Sequence, residues 1–282
     1  MSLAPIPGVI PGVIVTRAAR EAMPWVAGLQ AQGIAAQALA PMALLPVVDA
    51  GLRAVLAQAR SRWRDYAAVM FVSPNAVHFF FEQNRGETLA EQAPLAINFD
   101  GCKVPRIWAP GPGTVAALRH WGVADAAIDA PRAQAQQFDS EALWPLVAGQ
   151  IRPGSRLLLV RGGSSAAQAG GAGRNWLAQQ VLAAGGSIDF VVAYERRAAC
   201  LDAAQLALVQ RAASDGTLWL LSSAEALAYL CASAGAQSWA QARALATHPR
   251  IAAAAEAAGF AQVRHCRPSL DDIVASIKSW TP

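Results

Sequence analysis

Cysteine is sparse in this sequence, and its four copies, Cys102, Cys200, Cys231 and Cys266, include no C-x-x-C pair. His78, His120, His248 and His265 are equally scattered, so no zinc-ligand spacing exists and the thiols are expected to be free and buried. Long hydrophobic runs are missing as well. No stretch approaches the roughly 18 to 20 apolar residues that a membrane helix needs, so no membrane contact is expected. Met1 to Pro11 is apolar but has no basic flank and is broken by Pro5, Pro7 and Pro11, which argues against a secretory signal and for a cytoplasmic protein. Lysine is nearly absent, with Lys103 and Lys278 the only two among 23 basic residues. No basic run is interleaved with aromatics, so nucleic acid is not an expected partner. The excess of arginine, with a formal net charge of +4, favours an anionic ligand, because guanidinium pairs with carboxylate in a bidentate fork.

What the sequence has in abundance is apolar residues, 54% of 282, and a pattern that occurs twice. Ile14-Val15-Thr16-Arg17, then a helix from Trp25 to a Gly33-Ile34 stop, is echoed by Leu159-Val160-Arg161, Trp176 and a Gly185-Gly186 stop. Met70-Phe71-Val72-Ser73-Pro74 returns as Trp219-Leu220-Leu221-Ser222-Ser223. Ile107-Trp108 through Thr114 to Gly122-Val123 is matched by Ala244-Leu245 through Arg250 to Gly259-Phe260. Each unit reads as a buried strand, a tight turn and an amphipathic helix ending at glycine, which is the pattern of a parallel sheet covered by helices. The fold class expected is therefore α/β, with two similar doubly wound parallel-sheet lobes and a ligand between them. Two extended segments, Gln37 to Val48 and Ile188 to Arg197, are expected to cross between lobes. Gly162 to Gly173 reads as a mobile loop that lacks the Gly-Lys-Ser/Thr of a phosphate-cradling loop.

The chemistry is expected at the turns. Ser73-Pro74 and Ser222-x-x-Glu225 are helix starts, and Thr114 and the Thr247–Arg250 turn stand in equivalent places. Capping alone accounts for these residues. The other reading is that four helix N-termini at the carboxyl ends of strands hold carboxylates. Gly111-Pro112-Gly113-Thr114-Val115-Ala116 formally matches the dinucleotide fingerprint, but it belongs to the third unit and its repeat partner has no glycine before Gly259, so a capped turn is the stronger reading. No G-x-S-x-G elbow occurs.

Taken in order, Val15-Thr16-Arg17, Phe71-Val72-Ser73-Pro74-Asn75-Ala76-Val77, Leu159-Val160-Arg161-Gly162, Gly173-Arg174-Asn175-Trp176-Leu177, Val192-Ala193-Tyr194-Glu195-Arg196-Arg197 and His248-Pro249-Arg250-Ile251-Ala252 resemble the uroporphyrinogen-III synthase family. The resemblance implies a chain exchange between lobes: 1–38 plus 196–282 in one, 46–187 in the other. Segments 39–45 and 188–195 would pair as a two-stranded antiparallel connector. It implies a lyase of heme and porphyrin biosynthesis that uses no cofactor and no metal. Its substrate would be hydroxymethylbilane, a linear tetrapyrrole with many carboxylates, closed through a spiro intermediate with the last pyrrole ring inverted. Tyr194 would be the catalytic residue, helping the substrate hydroxyl leave. Substrate binding would fall to Arg17, Ser73, Asn75, Thr114, Arg161, Arg174, Ser222, Ser223, Thr247 and Arg250. The protein would be a monomer, with transient contact to hydroxymethylbilane synthase. Arg250-Ile251 replaces threonines found in some members, so a hydroxyl contact there is not expected. A catalytically inactive tetrapyrrole-binding or regulatory protein of the same fold is the alternative.

Overall fold

The computed structural model describes residues 12–82, 105–132, 135, 137–164 and 172–280, with the backbone alone for 164 and 172–175. The elements run β1 (Val13–Thr16), α1 (Ala19–Ala31), β2 (Ala36–Ala38), β3 (Met42–Pro46), α2 (Ala50–Arg62), β4 (Ala68–Phe71), α3 (Pro74–Glu82) and β5 (Arg106–Trp108). They continue with α4 (Pro112–His120), β6 (Ile128–Asp129), α5 (Ser140–Val147), β7 (Arg156–Ser164), α6 (Ala172–Ala183) and β8 (Ser187–Ala198). The remainder is α7 (Ala203–Ala212), β9 (Leu218–Leu221), α8 (Ala224–Ala234), β10 (Arg243–Ala246), α9 (Pro249–Ala257), β11 (Gln262–His265) and α10 (Leu270–Lys278). Contacts divide the chain into two compact units, one of residues 1–44 with 197–282 and one of residues 45–196.

The first unit holds a five-stranded sheet in the order β11-β10-β9-β1-β2, with every pairing parallel. The six-stranded sheet runs β3-β8-β7-β4-β5-β6, and its pairs β8-β7, β7-β4, β4-β5 and β5-β6 are parallel. The two sheets carry the same connectivity: β1, β9, β10 and β11 stand in one as β7, β4, β5 and β6 stand in the other. Strands buried on both faces explain why the sequence reads as continuous apolar runs rather than alternation. In the first sheet Ile14, Trp219, Leu221, Ala244 and Ala246 pack into one cluster, while Val13, Val15, Leu218, Leu220 and Leu245 pack into another on the opposite face. Each fully buried large aliphatic side chain contributes roughly 1.5–3 kcal/mol. Buried tryptophans keep their N–H groups partnered, Trp219 Nε1 donating to the Ala212 carbonyl at 3.1 Å and Trp108 Nε1 to Gln150 Oε1 at 2.8 Å.

The glycine stops match their expected role. Gly33 has φ +76° and Gly185 φ +80°, a left-handed conformation that a side chain would strain, and Gly122 and Gly259 share it. Several expectations need correction. The first helix starts at Ala19 rather than Trp25, and Ala18 before it makes no side-chain cap, so the sequence carries no start signal there. Gly162 to Gly173 is not one loop: Gly162, Gly163 and Ser164 extend β7, Ala172 opens α6, and 165–171 lie outside the described residues. Among the described residues no helix is long and apolar enough to cross a membrane.

Candidate functional site

Register brings the expected residues to the carboxyl ends of the strands. In the unit of residues 45–196, Phe71 of β4 pairs with Val160 of β7, so Ser73 and Arg161 both lie just past that rung. Along β7 and β8, Arg161 pairs with Val192 but Gly162 pairs with Tyr194, so Ala193 is an extra residue and the ladder shifts there. Such a bulge re-aims the side chains beyond it. Here it sets Tyr194 opposite a glycine, and a Cβ on Gly162 would lie 2.5 Å from Tyr194 Cζ and 2.5 Å from Arg196 Nη1.

Tyr194 is 4% exposed, and its ring stacks on Phe79 of α3 with centroids 5.2 Å apart. The Arg196 guanidinium lies 5.9 Å from the same ring. The Tyr194 hydroxyl is 3.2 Å from Ser73 Oγ, which also accepts the Ala76 N–H at 3.1 Å and so caps α3. Arg60 of α2 donates to the carbonyls of Phe79 and Phe80 at 2.5 and 2.8 Å, fixing the turn of α3 that carries Phe79. Asn75 is half-buried in the first turn of α3. Thr114 is buried in the first turn of α4, whose Gly113 approaches Pro74 so closely that a Cβ there would meet Pro74 Cγ at 3.3 Å. That packing of α4 on α3 is the physical account of Gly113 in the apparent dinucleotide fingerprint, while a Cβ on Gly111 would meet Phe138 Cβ at 3.4 Å. Arg161 is half-buried with its guanidinium 5.4 Å from the Phe190 ring, and Arg174 lies in the first turn of α6.

The unit of residues 1–44 and 197–282 gathers the rest. Thr16 of β1 and Ala246 of β10 both pair with Leu221 of β9, so Arg17, Ser222 and Thr247 follow three adjacent strand ends. The Thr247 N–H donates to the Leu221 carbonyl at 3.0 Å. The Arg17 side chain is 14% exposed, lies 3.8 Å from Glu21 and has its guanidinium 4.2 Å from the Trp25 ring. Burial lowers its pKa below the ordinary arginine value, against the opposing pull of Glu21 and Cys266. A second anionic partner at Arg17 would offset that burial cost. Burial also pushes the Cys266 thiol up to about 12, with Asp272 adding to the effect, which disfavours the thiolate.

The caps are shifted from where the sequence suggested. Ser223, not Ser222, caps α8 by accepting the Ala226 N–H at 3.2 Å, and Glu225 instead accepts the Tyr229 hydroxyl at 3.1 Å. Gly111 rather than Thr114 stands at the cap of α4. At α9 the cap is His248, whose Nδ1 accepts the Arg250 N–H at 3.1 Å, and the Arg250 side chain is exposed. Among the described residues the buried polar side chains are Thr16, Thr114 and Thr247, all at strand ends or first helical turns. Of three tyrosines, Tyr194 is the one whose hydroxyl lies beside a serine that caps a helix at a strand end. Tyr66 binds Asp189 at 2.8 Å beside Arg156, next to the start of β7, and Tyr229 belongs to the Glu225 pair. Sequence reasoning missed Phe79, Trp25 and the steric role of Gly162; the glycine after Arg161 was the one available signal.

Among protein-family models, the one for uroporphyrinogen-III synthase HemD matches residues 24–275. The chain belongs to the uroporphyrinogen-III synthase family. Solved structures of similar fold include a mutant uroporphyrinogen III synthase from the extremely thermophilic bacterium Thermus thermophilus, with a TM-score of 0.53 at 16% identity over 95% of this chain and 98% of that one. Uroporphyrinogen-III synthetase from Helicobacter pylori gives 0.52 at 12% identity over 95% and 99%. No curated protein matches the sequence. The family thus spans nearly the whole chain, and the strand ends described above lie within the matched span except for Thr16 and Arg17.

Proposed function

We propose that this protein closes hydroxymethylbilane with inversion of the last pyrrole ring and loss of water, giving uroporphyrinogen III. The observation that carries the reading is the family match over residues 24–275. The Tyr194 hydroxyl, fixed beside a helix N-terminus at the carboxyl edge of a parallel sheet, supports it chemically. In this reading Tyr194 gives its proton to the departing hydroxyl of the bilane, the substituted position of the last ring attacks the electron-poor carbon left behind, and the spiro intermediate opens and recloses. The protein's larger contribution is to hold the bilane folded so that this attack outruns simple closure.

The acetate and propionate arms are assigned to Arg17, Ser73, Asn75, Thr114, Arg161, Arg174, Ser222, Ser223, Thr247 and Arg250, largely through free N–H groups of first helical turns. The division proposed is 1–38 plus 196–282 and 46–187, with 39–45 and 188–195 as antiparallel connector strands. The enzyme is read as a lyase, monomeric and cytoplasmic, receiving its substrate through transient contact with hydroxymethylbilane synthase, and calling for no metal or cofactor. No observation favours a catalytically inactive relative. The test is to generate hydroxymethylbilane in situ, add the protein, oxidise the products and separate the uroporphyrin isomers. Type III above the uncatalysed type I background is the expected result; type I alone, from folded protein, would refute the reading.

A further inference from the structure

We infer that Ser73 acts on the reaction through Tyr194, as the hydrogen-bond donor that keeps the tyrosine's own proton turned toward the leaving group. This rests on the proposed role of Tyr194 as proton donor. A serine hydroxyl offers one proton and two lone pairs. At Ser73 one lone pair is taken by the Ala76 N–H at 3.1 Å, because an amide N–H can only donate. The 3.2 Å contact with Tyr194 Oη can run in either direction. A phenol that donates to Ser73 has no proton left for substrate. One that accepts from Ser73 keeps its O–H free for the reaction, and only this arrangement serves catalysis.

The surroundings hold the pair in place. Phe79 stacks on the Tyr194 ring at 5.2 Å, and the absent side chain of Gly162 leaves room for that ring and no more. Once the proton has gone, the phenolate oxygen receives the Ser73 O–H. Hydrogen bonds to an ionised acceptor are roughly twice as strong as neutral ones. Ser73 Oγ is in turn polarised by the N-terminus of α3, a helix of 9 residues, whose partial positive end favours negative charge next to it. The contact therefore strengthens as charge develops, which is the kind of interaction that raises turnover rather than affinity. In the step itself the C–O bond of the hydroxymethyl group breaks and its electron pair leaves with oxygen. The oxygen takes the Tyr194 proton and departs as water. The phenolate regains a proton from the pyrrole carbon that sheds one at ring closure, so the net loss is one water.

A helix cap and a proton-holding donor can be separated by substitution. Ser73→Asp caps a helix as well as serine does but, ionised, has no proton to give. The expected outcome is a kcat lower by about 10- to 100-fold, the size of a lost hydrogen bond to a charged group, with a melting temperature near wild type; any rise in KM from the new charge beside the carboxylate arms is separate from that kcat loss. Ser73→Ala shows the same kcat loss, and Ser73→Thr, which keeps the hydroxyl, restores most of it. In a Tyr194→Phe background Ser73→Ala lowers kcat no further. An Asp variant that turns over at the wild-type rate overturns the inference, as does a rise in KM with kcat unchanged, which would make Ser73 a plain substrate contact. Additive losses in the double variant overturn it too. Because wild-type protein is assayed alongside, type III product from an active Asp variant sinks this inference alone, whereas type I only from wild type sinks the proposed function with it.

Discussion

The ring of Tyr194 fills the space that a side chain on Gly162 would need, so the glycine belongs to the site although it carries no chemistry of its own. A methyl group there would stand 2.5 Å from Tyr194 Cζ, well inside contact, and the ring or the Arg196 side chain would have to move. Gly162→Ala is accordingly expected to cost about 1–3 kcal/mol of stability, as overpacking does. It should also lower turnover at temperatures where the variant is folded, since a displaced phenol loses its contact with Ser73. Urea unfolding and the rate of type III formation check both parts; wild-type turnover in the variant would mean that the position of the ring is not critical. Arg17 teaches a different lesson at this scale. Its guanidinium is held against Trp25 at the cost of burial, which lowers its pKa, and such a group gains most from a bound carboxylate.

At the scale of the element, the helix starts decide how the strand ends are presented. Ser222 and Ser223 are adjacent, and the structure gives the capping bond to the second. Ser223→Ala should cost about 1 kcal/mol in urea unfolding, the usual loss for a missing cap, whereas Ser222→Ala should stay within about 0.5 kcal/mol. The reverse order would return the cap to Ser222. The same pair shows what the sequence could reveal. Strand runs such as Met70-Phe71 and Trp219-Leu220, and the glycine stops at Gly33, Gly122, Gly185 and Gly259, were legible because burial on both sheet faces and left-handed backbone each demand particular residue types. A cap that moves by one residue between neighbouring serines was not legible, because either serine satisfies the local rule. The start of α1 was hidden because Ala18 offers no capping side chain. The setting of Tyr194 was hidden for another reason: it depends on the bulge between β7 and β8, and a shift in the register of distant strands leaves no mark on either strand's own pattern.

At the scale of the whole molecule, the connectivity of the first sheet is repeated by β7, β4, β5 and β6 of the second, and each sheet ends its strands in first helical turns rich in hydroxyl groups. Duplication gives two similar sets of helix-start turns, and the proposed chemistry rests on the difference between them. The edge with β7 and β8 carries Tyr194 with its hydroxyl beside Ser73, while the other edge offers Arg17 beside Trp25. The central claim is that the reaction passes through that one tyrosine. The measurement that tests it most directly is the initial rate of type III uroporphyrinogen formation by Tyr194→Phe, beside wild type, from protein shown to melt at a similar temperature. The account predicts a loss of about 100-fold or more, the scale of a removed general acid, with little change in stability. A variant that forms the type III isomer at the wild-type rate would contradict it.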